Sequence, residues 1–107
     1  MTNRKYVPIK KKKKTTFCFD DARLVSLVVI NDDEPGENKT IHCQTIAMSL
    51  FEALGNAKTV YGRNLRLNSW GSRCLPGKDG SRLYGGGEYV PGRLDRFYPE
   101  ALAAINP

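Results

Sequence analysis

Apolar positions are densest at Leu24-Val25-Ser26-Leu27-Val28-Val29-Ile30. Val25, Val28, Val29 and Ile30 are β-branched, stiff at χ1 and suited to a pleated surface. Leu24, Val28 and Ile30 share one face of such a strand, and Val25, Leu27 and Val29 the other. A strand apolar on both faces is covered on both, so the pattern predicts a central strand. Upstream, Thr15 to Phe19 reads as a strand with Phe17 and Phe19 on one face. Asp20-Asp21-Ala22-Arg23 reads as the turn between the two, its adjacent carboxylates serving as turn residues rather than metal ligands.

Beyond the central strand, Asn31 to Lys39 is a loop with four acids and a Pro-Gly pair. It lacks the alternating acids of a calcium loop. Thr40 to Leu54 is predicted as the main helix, with Thr40 as N-cap. Cys43, Ile46, Ala47, Leu50, Ala53 and Leu54 fall on one face, His42, Thr45, Ser49 and Glu52 on the other, and Gly55-Asn56 is the stop. Lys58 to Leu67 reads as a second long strand and Asn68 to Ser72 as a break. Arg73 to Leu75 reads as a short strand. Arg82-Leu83-Tyr84 and Glu88-Tyr89-Val90 read as a hairpin across three glycines. Pro99 opens a short last helix ending at Ile105. The fold class expected is α+β: a mainly antiparallel sheet, one principal helix packed on one face, and a short C-terminal helix.

Charge divides the 107-residue chain, which is long enough for one domain. Residues 1–14 hold seven cations and no acid, residues 15–57 two cations and seven acids, and residues 58–107 eight cations and four acids. The first segment, with Lys10, Lys11, Lys12, Lys13 and Lys14 in a row, reads as a basic flexible arm on a single domain spanning 15–107. Three cysteines, an odd number, argue for a reducing compartment. With no apolar run of membrane or signal length, the expected location is the cytoplasm, away from the membrane.

No motif carries catalysis. Cys18, His42, Cys43 and Cys74 have the count for a zinc site but not the spacing. His42 and Cys43 are chain neighbours and do not face each other on a helix. Tyr, Arg and Glu around Tyr84 to Arg96 admit a small metal-free RNase without a motif for one. Gly85-Gly86-Gly87 lacks the Lys-Ser/Thr ending of a P-loop, and Gly62 is misplaced for a helix-turn-helix reading of 55–63. The chain is read as a non-enzyme without cofactor or metal.

The strongest functional signal is the run from Lys58 to Arg82. Lys58, Arg63, Arg66, Arg73, Lys78 and Arg82 face one acid, Asp79, with Tyr61 and Trp70 interleaved and Tyr84 following. Cations neutralise phosphates and exposed rings stack on unpaired bases. The first expectation is therefore non-catalytic binding of single-stranded RNA or DNA through Lys58, Tyr61, Arg63, Arg66, Trp70, Arg73, Arg82 and Tyr84, helped by the lysine arm. The alternative is a small protein-interaction module, of the kind phages use as inhibitors or anti-defence proteins, docking on a larger nucleic-acid-processing machine. Its basis is the acidic segment between two basic ones. Nucleic acid or an acidic protein surface is the expected partner, and an open strand edge would also admit a homodimer. The two readings separate on whether the cations and rings share one exposed surface.

Overall fold

Strand pairing carries the apolar run into the middle of a four-stranded sheet. The computed structural model describes residues 17–32, 39–76 and 87–105. In chain order the elements are β1 (Cys18–Asn31), β2 (Thr40–Ser49), α1 (Leu50–Tyr61), β3 (Leu65–Arg73), β4 (Glu88–Tyr89), a 3-10 turn (Asp95–Phe97) and α2 (Pro99–Ile105). Across the sheet the order is β3-β1-β2-β4. β1 is antiparallel to both of its neighbours, and the short β4 joins β2 in parallel. The α+β class, the central strand and the C-terminal helix are as the sequence implies.

Both faces of β1 are covered. Val25, Leu27 and Val29 join Cys43, Ala47 and Leu65 beneath Leu50, Ala53, Leu54 and Ala57 of α1. On the reverse face Leu24 packs with Ala22, Ile46, Leu75, Leu94, and with Ala101 and Ile105 of α2. Each fully buried Leu or Ile contributes about 1.5–3 kcal/mol relative to exposure. Val28 and Ile30, further along the reverse face, are only half-buried.

Several boundaries differ from the sequence reading. The expected turn at Asp20 to Arg23 is part of β1, which runs through it with a register irregularity between Cys18 and Arg23. Thr40 to Ser49 is a strand, not the first half of a helix. Ile41, Cys43, Thr45 and Ala47 alternate with His42, Gln44, Ile46 and Met48, and pairing to β1 satisfies the backbone. The helix begins one residue after Ser49, whose hydroxyl accepts from the Glu52 amide at 3.0 Å. The Glu52 carboxylate in turn accepts from the Met48 amide at 2.9 Å. Ser-Leu-Phe-Glu is thus a variant capping box. Gly55 and Asn56 are inside α1 rather than its stop. That role falls to Gly62, at φ 116°, whose amide bonds the Lys58 carbonyl. The strand expected from Lys58 accordingly begins at Leu65, and the expected break at Asn68 to Ser72 is strand interior. A bulge between Leu67 and Ser69 is the only irregularity there. Glu88-Tyr89 pairs in parallel with β2. The first arm of the expected hairpin, Arg82 to Tyr84, lies outside the described residues, as does the arm 1–14.

Candidate interaction surface

The two edges of the sheet are built differently. The Asp32 amide bonds the Asn64 carbonyl at 3.3 Å, so even-numbered residues of β1 turn their backbone groups toward β3 and odd-numbered ones toward β2. Gln44, Ile46 and Met48 of β2 therefore face away from β1, and each is capped. The Val90 amide donates to the Gln44 carbonyl at 2.8 Å. The Ile46 amide donates to the Tyr89 hydroxyl at 3.3 Å, and the Met48 amide to Glu52. The Tyr89 hydroxyl donates to Asp95 Oδ1 at 2.7 Å. Burial, and then that bond to a carboxylate, push the Tyr89 hydroxyl well above the usual tyrosine range, so it stays a donor. At the other edge, β3 pairs with β1 alone among the described strands. By the same alternation Leu65 and Leu67, and past the bulge Trp70 and Ser72, turn their amides and carbonyls outward.

Beside that edge is an aromatic cluster. The rings of Phe17 and Phe19 are 5.5 Å apart, with Trp70 5.5 Å from Phe17 and 6.0 Å from Phe19, all mutually tilted. Such tilted contacts add to area burial. α1 covers β1 and β2, leaving Leu67 and Trp70 of β3 half-buried and Phe17 52% exposed. An open cleft of about 460 Å³ runs along Phe17, Phe19, Trp70 and Ser72 to Asp20, Asp21 and Arg23. Arg23 Nε donates to Ser72 Oγ at 3.0 Å. A second cleft starts from Cys18 and Phe19 and reaches Met48, Glu52, Arg93 and the exposed Phe51.

The sequence-predicted residues that the structure describes do not converge. Lys58 is in the last turn of α1 and Arg63 is exposed in the loop that follows. Arg66 and Arg73 stand opposite Ile30 and Leu24 on the reverse face, about 20 Å apart along β3 at the usual rise per residue. Arg66 makes a bidentate pair with Asp32, Nε to Oδ2 at 3.0 Å and Nη2 to Oδ1 at 3.1 Å, which holds the Asp32 carboxyl below its ordinary range. Tyr61 is half-buried and its hydroxyl donates to Glu88 Oε1 at 2.7 Å. Trp70 faces the α1 side, away from Arg66 and Arg73. Lys10 to Lys14, Arg82 and Tyr84 lie outside the described residues. Sequence reasoning placed Phe17 and Phe19 on a shared face but did not single them out. The signal was present, two aromatic residues in alternation at the start of the fold, but Trp70 joins them only through the β1–β3 register.

Among the described residues no group of three His, Cys, Asp or Glu side chains is placed to hold a metal. Cys43 faces the core, and burial pushes its thiol up to about 11, so at neutral pH it packs as a protonated small hydrophobe. Cys18 and Cys74 are exposed. Maleimide at pH 7 should therefore label Cys18 and Cys74 in the native protein and reach Cys43 only after unfolding. Mass spectrometry of the labelled chain reads this directly, and native labelling of Cys43 would contradict the packing described. Among the described residues no helix is long and apolar enough to cross a membrane. No protein-family model, curated protein or solved structure matches the chain.

Proposed function

We propose that the protein is a non-catalytic protein-interaction module that docks through the Phe17–Phe19–Trp70 cluster and the adjacent edge of β3. The observation that carries this reading is an apolar aromatic centre open to solvent, rimmed by side chains of both signs: Asp20, Asp21 and Arg23. Protein interfaces have this anatomy, an aromatic-rich centre inside a polar rim. A polynucleotide surface needs its rings and cations together, whereas here the carboxylates of Asp20 and Asp21 lie beside the rings and Arg66 is matched by Asp32. Phage-type inhibitors of nucleic-acid-processing machines fit the description, and a reducing cytoplasm suits three free cysteines.

The test compares wild type with a Phe17→Ser, Trp70→Ala variant in nuclease-treated pull-downs, with labelled single-stranded RNA and DNA titrated in parallel at low salt. Expected are protein partners that survive nuclease and are lost from the folded variant. Binding to the oligonucleotides that falls steeply with salt and depends on Arg63 and Arg66 would instead favour the nucleic-acid reading, as would partners that vanish with nuclease.

A further inference from the structure

The segment that closes the outer side of β2 is held by the rest of the fold at scattered points. β4 is two residues long and among the described strands pairs with β2 alone. The Val90 amide donates to the Gln44 carbonyl at 2.8 Å, and the Tyr89 hydroxyl accepts from the Ile46 amide at 3.3 Å. Further ties run through side chains: Gln44 Nε2 to the Gly87 carbonyl at 3.0 Å, the Tyr61 hydroxyl to Glu88 Oε1 at 2.7 Å, and Arg93 Nε to Glu52 Oε2 at 3.1 Å. Val90 anchors the segment under α1, and Leu94 with the half-buried Tyr89 anchors it on the reverse face. Within itself the segment is knit together. Asp95 accepts from the Tyr89 hydroxyl at 2.7 Å and from the Gly92 amide at 3.1 Å, and its own amide bonds the Gly92 carbonyl at 3.2 Å. β1, by contrast, is laddered on both sides.

Closing this segment over β2 also has a cost. Gln44 is 4% exposed, and its Oε1 is buried without a hydrogen-bond partner among the described residues. A buried acceptor that lacks a donor is unfavourable, and opening returns it to water. Contiguous segments with few buried apolar contacts open below the global unfolding of a domain. We propose that residues 87–95 are a strap that lifts off β2 as one unit while β1, β2, β3 and α1 stay folded. Lifting frees the Gln44 carbonyl and the Ile46 amide, so this stretch of β2 is competent for strand pairing in the lifted state and covered in the closed one. β2 carries its own reporters of the two states. The Ile46 amide is held by the strap, whereas Thr45 and Ala47, paired with Val25 and Arg23, turn theirs toward β1. Adjacent residues of one strand thus depend on different partners.

Native-state hydrogen exchange of the full chain, followed residue by residue across sub-denaturing urea, tests the strap. Expected is a common protection at Ile46 and Val90, at least tenfold below that of Thr45 and Ala47. Its urea dependence should be shallower, because lifting exposes less surface than unfolding. Tyr61→Phe removes the tie to Glu88 and touches neither reporter amide. It should speed exchange at Ile46 and Val90 by one common factor, at least threefold beyond any change at Thr45 and Ala47. Arg93→Ala, which releases the tie to Glu52 from an exposed position, gives the same readout should Tyr61→Phe fail to fold. Protection of Ile46 equal to that of Thr45 and Ala47 would make the strap part of the sheet's own cooperative unit. An effect of either variant confined to Val90 would reduce the opening to fraying at β4. Each of these two results overturns the proposal.

Discussion

Replacing Leu27 by alanine is expected to lower the stability of the fold by about 2–5 kcal/mol. Leu27 is 1% exposed at the middle of the central strand, with Cys43 beside it on β2 and Trp70 on β3. Its side chain reaches the layer under α1, where Leu50, Ala53, Leu54 and Ala57 pack. Removing three carbons there loses their transfer free energy and leaves a cavity that a paired strand cannot close by moving. Domains of this size are stable by about 5–15 kcal/mol in total, so the loss is a large share. Urea unfolding followed by Trp70 fluorescence should show a lowered midpoint with an unchanged slope. A cost under about 1 kcal/mol would contradict the central, doubly covered position of β1.

Gly87→Ala should cost about 2 kcal/mol or more and do so locally. Gly87 has φ 96°, a left-handed conformation that glycine adopts without penalty. A Cβ there would overlap the backbone carbonyl of His42, which cannot move without disturbing β2. The carbonyl of Gly87 also accepts from Gln44 Nε2 at 3.0 Å, and Val90, three residues on, donates to the Gln44 carbonyl. Displacing Gly87 therefore uncaps the β2 edge and frees a buried amide side chain. Amide exchange at Val90 should rise with the loss of stability. Gly71→Ala is the control: nothing lies within 4 Å of its added Cβ and its φ is ordinary. It should be neutral or stabilising by a few tenths of a kcal/mol. Equal effects at the two glycines would refute the argument.

The main misreading of the chain has a physical cause. Cys43, Ile46, Ala47 and Leu50 fit helical spacing, yet the first three are strand residues. In β2, Cys43 and Ala47 point to the α1 side and Ile46 to the reverse side. All are apolar because the sheet is covered on both faces, which blurs the alternation that marks a strand. The decisive local signals were Ser49 with Glu52 at the true helix start and Gly62 at its end. Helix length then follows, since α1 must cross β1 and β2 to cover them. The arginine-rich run was legible as composition, but the turn at Gly62 leaves Lys58 at the helix end and Arg63 in the loop, and the bulge at Asn68 puts Arg66 and Arg73 on the reverse face and Trp70 on the α1 side.

Local chemistry alone determined that β1 is central, because both of its faces are apolar within seven residues, and that the last helix starts at Pro99, whose ring presets the backbone there. It also determined the three-part charge layout, which no folding alters. Only the tertiary structure decided which aromatic residues meet and which described strand is left with a single neighbour. Trp70 reaches Phe17 and Phe19 through an antiparallel register spanning about fifty residues of chain, and among the described strands β3 pairs with β1 alone while β4, Tyr89 and Glu52 close the β2 side. Register and edge assignment depend on backbone bonds between distant segments, and such bonds leave no local pattern to read.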